Sequence, residues 1–213
     1  ATLSATLRPM LPNGRRLGAH LPLGHGMVKA ADRAAEIGAS ALQVFSDNPT
    51  SWRRRPRQPL ELPAFRERLA GHGITPLAIH APYLVNLAGP DPETHRRSVD
   101  VLVNELRVAQ LYGARFVNIH IGSHRGDGPA AGIERLALGI RSVIDAVGDA
   151  APDVLLVLEN GAGGGFGLGA SMEELGAIDQ AVTAAGVARE RYGFCLDTAH
   201  LWGAGHDVAT ADG

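Results

Sequence analysis

Four short apolar runs along this chain each end in a residue that can bind a metal ion or transfer a proton. They end at His80, His120, Glu159 and Asp197, and His200 follows Asp197 after two intervening residues. Imidazole nitrogens and carboxylate oxygens, without cysteine, are the ligands of a catalytic zinc site that keeps an open position. One such residue at the end of a strand is unremarkable, but four in succession predict a metal centre.

Glu159 is central to the chemistry that such a centre could perform. A carboxylate has two oxygens and can bridge two ions about 3.5 to 4 Å apart, which lowers the pKa of a bound water from about 15.7 towards 7. We therefore predict that Glu159 is the catalytic residue of a hydrolytic site without a protein nucleophile. Zinc is the expected ion, with manganese as an alternative.

The elements that must position these residues are indicated by six apolar, β-branched runs. They occupy residues 16–20, 41–45, 75–80, 115–120, 154–159 and 192–197. Continuous apolar runs of this kind are typical of parallel strands covered on both faces. Apolar residues at helical spacing lie between them, so the pattern predicts an α/β fold, with the TIM (β/α)8 barrel as the leading member.

Helix ends are also marked in the sequence. Asp91 before Pro92 predicts an N-cap followed by a first-turn proline, and Gly113 predicts a C-cap. Ser171 with Glu174 predicts a capping box. Because only about six βα units fit, we expect residues 1–213 to form one TIM-barrel domain truncated at its C-terminus.

Composition excludes several classes of protein. The chain has 213 residues, 45% of them hydrophobic, with a formal net charge of -2 and one cysteine. A disulfide scaffold, a disordered tail and a uniformly basic nucleic-acid coat are therefore excluded. No run approaches the roughly 20 apolar residues of a membrane span. We expect a soluble, cytoplasmic monomer with no membrane partner.

Four segments carry a resemblance to a known family. They read HAPYLVNL at 80–87, NIHIGSH at 118–124, LEN at 158–160 and CLDTAH at 195–200. Together they resemble the endonuclease IV family of apurinic/apyrimidinic endonucleases, within the xylose isomerase-like TIM barrels. The resemblance implies a barrel with a cluster of up to three zinc ions. It also implies cleavage of duplex DNA 5′ to an abasic site, leaving a 3′-hydroxyl.

The resemblance also assigns metal ligands. His80, His120 and Glu159 correspond to the ligands of a first zinc, and Glu159 also bridges to a second. Asp197 corresponds to a ligand of that second zinc, and His200 to a ligand of a third.

DNA contacts follow from the same resemblance. Tyr83 and Leu84 correspond to the pair that wedges into the duplex where the abasic nucleotide is flipped out, replacing the lost stacking. Trp52 and Arg53 lie in a segment, residues 47–55, that matches a DNA-contact loop of the family. The arginines of this loop, Arg53 to Arg55, suit phosphates.

Two other functions stay open from the residues alone. A sugar isomerase or epimerase on the same barrel also gathers His, Glu and Asp around metal ions. A non-catalytic binder of damaged DNA is the second alternative, because further ligands of the family lie beyond the last residue given. His20, His25 and His124 are each open between a supporting position at the site and a loop position.

Overall fold

The computed structural model describes residues 14–210, and in this range six strands alternate with six α-helices. The strands are β1 Gly18–His20, β2 Ala41–Val44, β3 Leu77–His80, β4 Phe116–His120, β5 Leu155–Glu159 and β6 Tyr192–Cys195. The helices are α1 Met27–Glu36, α2 Leu62–Gly71, α3 Pro92–Tyr112, α4 Pro129–Val147, α5 Met172–Ala184 and α6 Thr198–Gly203. Each of the six predicted runs contains one strand.

All six strands form one parallel sheet in consecutive order, from β1 to β6. A helix connects each strand to the next, as in the βα units of a TIM barrel. The predicted fold class is confirmed, with six units in the part of the chain that the structure describes.

One face of the sheet is packed into the hydrophobic core, and this fixes which strand residues point to the opposite face. Alternate strand residues that are at most 3% exposed belong to the hydrophobic core: Leu42, Val44, Leu77, Ile79, Val117, Ile119, Leu156 and Leu158. Side chains alternate along a strand, so the residues between them point to the opposite face. His80, His120 and Glu159 all fall on that opposite face. The packing that stabilises the sheet therefore gathers these polar side chains on one side of it.

The helix ends agree with most of the predicted signals. Asp91 Oδ2 accepts a hydrogen bond from the backbone nitrogen of Thr94 at 2.8 Å, and Gly113 has a left-handed φ of 72°. Glycine tolerates that φ without steric cost, which makes it a natural C-cap.

The capping box at α5 is only half formed. Ser171 Oγ accepts from the Glu174 nitrogen at 3.2 Å, as predicted. The Glu174 carboxylate reaches further back, where Oε2 accepts from the nitrogens of Gly169 at 2.6 Å and Ala170 at 3.0 Å. It therefore anchors the loop that enters α5 instead of closing the reciprocal bond to Ser171.

Among residues 14–210, no helix combines the length and the apolar character needed to cross a bilayer.

Candidate metal centre

The last residues of three neighbouring strands meet at the carboxyl edge of the sheet. His80 ends β3, His120 ends β4 and Glu159 ends β5. The register places His80 beside Asn118 and His120 beside Glu159. Since the strands are parallel, all three ends lie on the rim where barrel enzymes carry their active sites.

His80, His120 and Glu159 form a first group of possible ligands. Each offers one ligand atom, and these atoms lie within 4.8 Å of one another. His80 Nε2 is 3.7 Å from Glu159 Oε2, and His120 Nε2 is 3.9 Å from Glu159 Oε1. His80 Nδ1 lies 2.7 Å from the Ala81 carbonyl oxygen, to which it donates, so the lone pair of the ring is left on Nε2. A ring oriented in this way is typical of a metal ligand.

Glu159 also belongs to a second group, with Asp197 and His200. The ligand atoms of these three residues again lie within 4.8 Å of one another. His200 Nδ1 is 3.4 Å from Glu159 Oε1 and 3.8 Å from Asp197 Oδ2. Both groups share one buried carboxylate, which is the arrangement expected of a bridging residue.

The position of Asp197 corrects the sequence prediction. Strand β6 ends at Cys195, and Asp197 is instead the N-cap of α6. Its Oδ1 accepts a hydrogen bond from the His200 nitrogen at 2.9 Å, which satisfies a nitrogen that has no partner within the helix. That hydrogen bond is the main cause that holds the pKa of Asp197 below its ordinary value. A helix start therefore brings Asp197 and His200 together.

Asn160 holds this helix start against β5. Its Oδ1 accepts from the Asp197 nitrogen at 2.6 Å, and its carbonyl oxygen lies 2.9 Å from His200 Nδ1. The side chain of Asn160 is almost completely buried. A carbonyl oxygen can only accept, so His200 Nδ1 donates to it and the lone pair of the ring lies on Nε2.

Asn118 is a site residue to which the sequence assigned no role. It lies on β4 two positions before His120, on the same face of the sheet, and its Nδ2 donates to Glu159 Oε2. Asn118 is buried, and its Oδ1 has no hydrogen-bond partner in the described range. Strand alternation was the available signal, because every second residue before a ligand shares its face.

A cavity of about 560 Å³ opens over these groups. His20 and Gln43 contribute to its wall, and His20 Nδ1 lies 3.1 Å from Gln43 Nε2. The ring of His20 stacks on His80 with centroids 5.9 Å apart, so this histidine, left open by the sequence, lies beside the site. Partial desolvation, followed by the electrostatic effect of the neighbouring His80, lowers the pKa of His20. Desolvation likewise lowers the pKa of His120, against the opposing effect of Glu159.

A larger groove of about 1000 Å³ runs between α4 and α5. Its lining is mostly alanine and other apolar side chains. Neither group of possible metal ligands contributes to it, so the smaller, polar cavity is the candidate site.

Tyr83 and Leu84 lie on the loop that follows β3. Tyr83 is 57% exposed, and its ring meets the ring of His120 with centroids 6.0 Å apart. Leu84 is half-buried. The structure therefore places an exposed aromatic side chain directly against a possible metal ligand.

Residues 47–55 form a loop that follows β2. Trp52 is half-buried and packs against the core. Arg53 is exposed, and in the described range its guanidinium has no partner. Arg55 pairs with Asp47 at 3.5 Å.

Arg54 differs from the expectation that the arginines of this loop face phosphates. Its side chain is only 11% exposed and donates inward to Glu105 on α3. Burial of a charged group is costly, and pairing with Glu105 offsets part of that cost.

Comparisons with known proteins agree with this geometry. A family model described as "xylose isomerase-like TIM barrel" matches residues 31–212. The "Probable endonuclease 4" of Methanoculleus marisnigri is 37% identical over 197 residues, which cover 92% of this chain and 68% of that protein. The protein of the same name from Halorhodospira halophila is 41% identical over 197 residues, covering 92% of this chain and 65% of that one.

Solved structures show the same similarity. Endonuclease IV from Thermus thermophilus superposes with a TM-score of 0.77 at 36% identity, over 93% of this chain and 68% of that one. A D-psicose 3-epimerase superposes with a TM-score of 0.67 at 15% identity, over 88% of this chain and 65% of that one, and indicates the fold alone. The chain spans about two thirds of the length of these relatives: 68% of the Methanoculleus marisnigri protein and 65% of the Halorhodospira halophila protein.

Proposed function

This chain belongs to the endonuclease IV family, and we propose that it is a zinc-dependent DNA-repair endonuclease. The proposed reaction is hydrolysis of the phosphodiester bond 5′ to an abasic site in duplex DNA. One observation carries the proposal: two groups of possible metal ligands share the buried Glu159 beside the exposed ring of Tyr83.

The residues present fit zinc. His80, His120 and Glu159 would hold one ion, while Asp197 and His200 would contribute to others, with Glu159 shared. The donor set is imidazole nitrogen and carboxylate oxygen, and the ring of His80 is already oriented by the Ala81 carbonyl. Bound ions would supply Lewis acidity and an activated water at neutral pH.

Other residues orient this donor set and bind the substrate. Asn118 holds one oxygen of Glu159, so the carboxylate cannot rotate away from the histidines. Tyr83 would fill the space left by an abasic nucleotide. Unstacking a nucleotide costs a few kcal/mol, and the cost is smallest at a damaged site. Insertion of the Tyr83 ring would therefore favour abasic DNA. Arg53, whose guanidinium has no partner among residues 14–210, would contact a phosphate, and binding would then be salt-dependent.

A sugar epimerase is the competing function on this fold. Epimerase structures resemble the chain at 15% identity, which is informative about the fold only. A sugar pocket has no need of an exposed tyrosine on the rim, or of an exposed arginine on the neighbouring loop that is unpaired within the described part of the chain. The arginine favours a polyanionic substrate, and the tyrosine ring favours one in which an aromatic side chain can replace lost base stacking.

The test is incubation of the 213-residue chain with zinc and a duplex carrying one tetrahydrofuran abasic analogue. We expect a nick 5′ to the analogue whose 3′-hydroxyl a polymerase can extend, and loss of nicking in Glu159→Gln. Glu67→Gln, an exposed glutamate on α2, is the matched control and should retain activity. A retarded but intact duplex would instead indicate a non-catalytic binder of damaged DNA. Conversion of a ketose to its epimer without nicking would indicate the sugar enzyme.

A further inference from the structure

Helix α3 contains a buried charge that the proposed chemistry does not use. Glu105 is fully buried, and this burial raises the pKa of its carboxyl. Its partners come from the segment after β2: Ser46 Oγ donates to Oε2 at 2.5 Å, and Arg54 Nη1 donates to Oε1 at 3.4 Å. A buried carboxylate without partners is strongly destabilising, so these contacts restrict where that segment can lie.

Arg54 extends the connection from α3 into residues 47–55, here called the recognition loop. Its Nη2 donates to the Asn48 carbonyl at 3.0 Å and also to the Ser51 carbonyl. One guanidinium therefore joins two backbone carbonyls of the loop to the carboxylate of Glu105. The planar fork of arginine donates from separate nitrogens in fixed directions, whereas the three donors of a lysine all lie on one nitrogen.

The recognition loop in turn contacts the segment that carries Tyr83. The backbone nitrogen of Tyr83 donates to the Pro49 carbonyl at 3.0 Å. The rings of Phe45 and Tyr83 meet edge to face with centroids 5.3 Å apart. Displacement of the recognition loop would thus remove a hydrogen bond from the backbone that presents the Tyr83 ring.

We propose that Glu105 is a positioning residue for DNA recognition, acting through Arg54 on the recognition loop and through Pro49 on Tyr83. Arg54 is then a structural arginine and not a phosphate contact, and Arg53 is the cation that the loop presents. The inference rests on the proposed function, because the loop matters for recognition only if the chain binds DNA. Its physical basis is preorganisation: a loop that is already ordered loses less conformational entropy on binding.

Trp52 allows the loop to be observed without DNA. The chain has two tryptophans, and in a Trp202→Phe background Trp52 is the only one. In that background, Glu105→Gln keeps the size of the side chain and removes its charge.

We expect acrylamide quenching of Trp52 fluorescence in Glu105→Gln to rise well above that of the parent. We also expect the Kd for an abasic-analogue duplex to rise about tenfold, or about 1.4 kcal/mol. Asp100→Asn, which breaks an exposed pair with Arg96 on the same helix, is the control and should change neither.

Arg54→Met provides a second variant if Glu105→Gln does not fold. We expect it to weaken binding while the slope of log Kd against log salt stays that of the parent. A slope reduced by about 1 would identify Arg54 as a phosphate contact and overturn the inference. Unchanged quenching and affinity in Glu105→Gln, with a parent that binds DNA, would also overturn it and leave the proposed function intact. A parent that does not bind the duplex, with quenching raised in the variant, would refute the proposed function and support the anchoring.

Discussion

Replacement of Asn118 by alanine tests whether the metal centre depends on a residue that does not bind the metal. The Asn118 amide donates to one oxygen of the buried Glu159 carboxylate. A hydrogen bond to a charged group contributes about 1.5 to 3 kcal/mol. If the whole contribution serves to hold Glu159 for the ion, zinc affinity should fall roughly 10- to 150-fold, since about 1.4 kcal/mol is a factor of ten. Removal of such outer partners from other metal sites costs about 10- to 100-fold.

The assay is titration of the chain with zinc against a chelating indicator, with far-UV circular dichroism to verify the fold. Asn104→Ala, on α3 and away from the site, is the matched control and should bind zinc as the parent does. Nicking of the abasic duplex should fall in parallel at limiting zinc and recover when zinc is in excess. Zinc affinity within twofold of the parent in a folded Asn118→Ala would refute the reasoning.

Three further predictions follow from the described contacts. Tyr83→Ala should weaken binding of an abasic-analogue duplex by about 1 to 3 kcal/mol in fluorescence anisotropy, and leave undamaged duplex unaffected. Gly122→Ala should lower the melting temperature more than Gly38→Ala. Both glycines have positive φ, but only at Gly122 would the new Cβ collide with Asn86; equal losses would contradict this. Leu156→Ala, at a fully buried strand position, should lower the free energy of unfolding by about 2 to 5 kcal/mol in urea titration.

Prediction of the fold from sequence succeeded because its signals are local. An apolar run followed by a polar residue can be recognised over six residues, and parallel strands necessarily end on one rim. The ligand candidates His80, His120 and Glu159 were found for that reason. The apolar faces of the helices and the N-cap at Asp91 depend on spacings of three or four residues, so they could be predicted from the sequence in the same way.

Prediction failed where a short-range signal had two physical outcomes. Asp197 continues an apolar run and could have ended the strand. It could also begin a helix. The structure shows the helix start, because the Asp197 carboxylate accepts from the backbone nitrogen of His200, which has no partner within the helix. The charged run Arg53 to Arg55 similarly suggested three side chains directed outward, whereas one of them is buried.

The sequence by itself determined the βα alternation, the identity of the candidate ligands and their shared edge of the sheet, because each depends on residues close together in the chain. Tertiary structure alone decided that Asn118 holds Glu159, 41 positions away, and that Arg54 faces Glu105, 51 positions away. Periodicity describes which side of a strand or helix a residue occupies. It contains no information about which distant side chain will lie opposite, since that depends on how the packed elements come together.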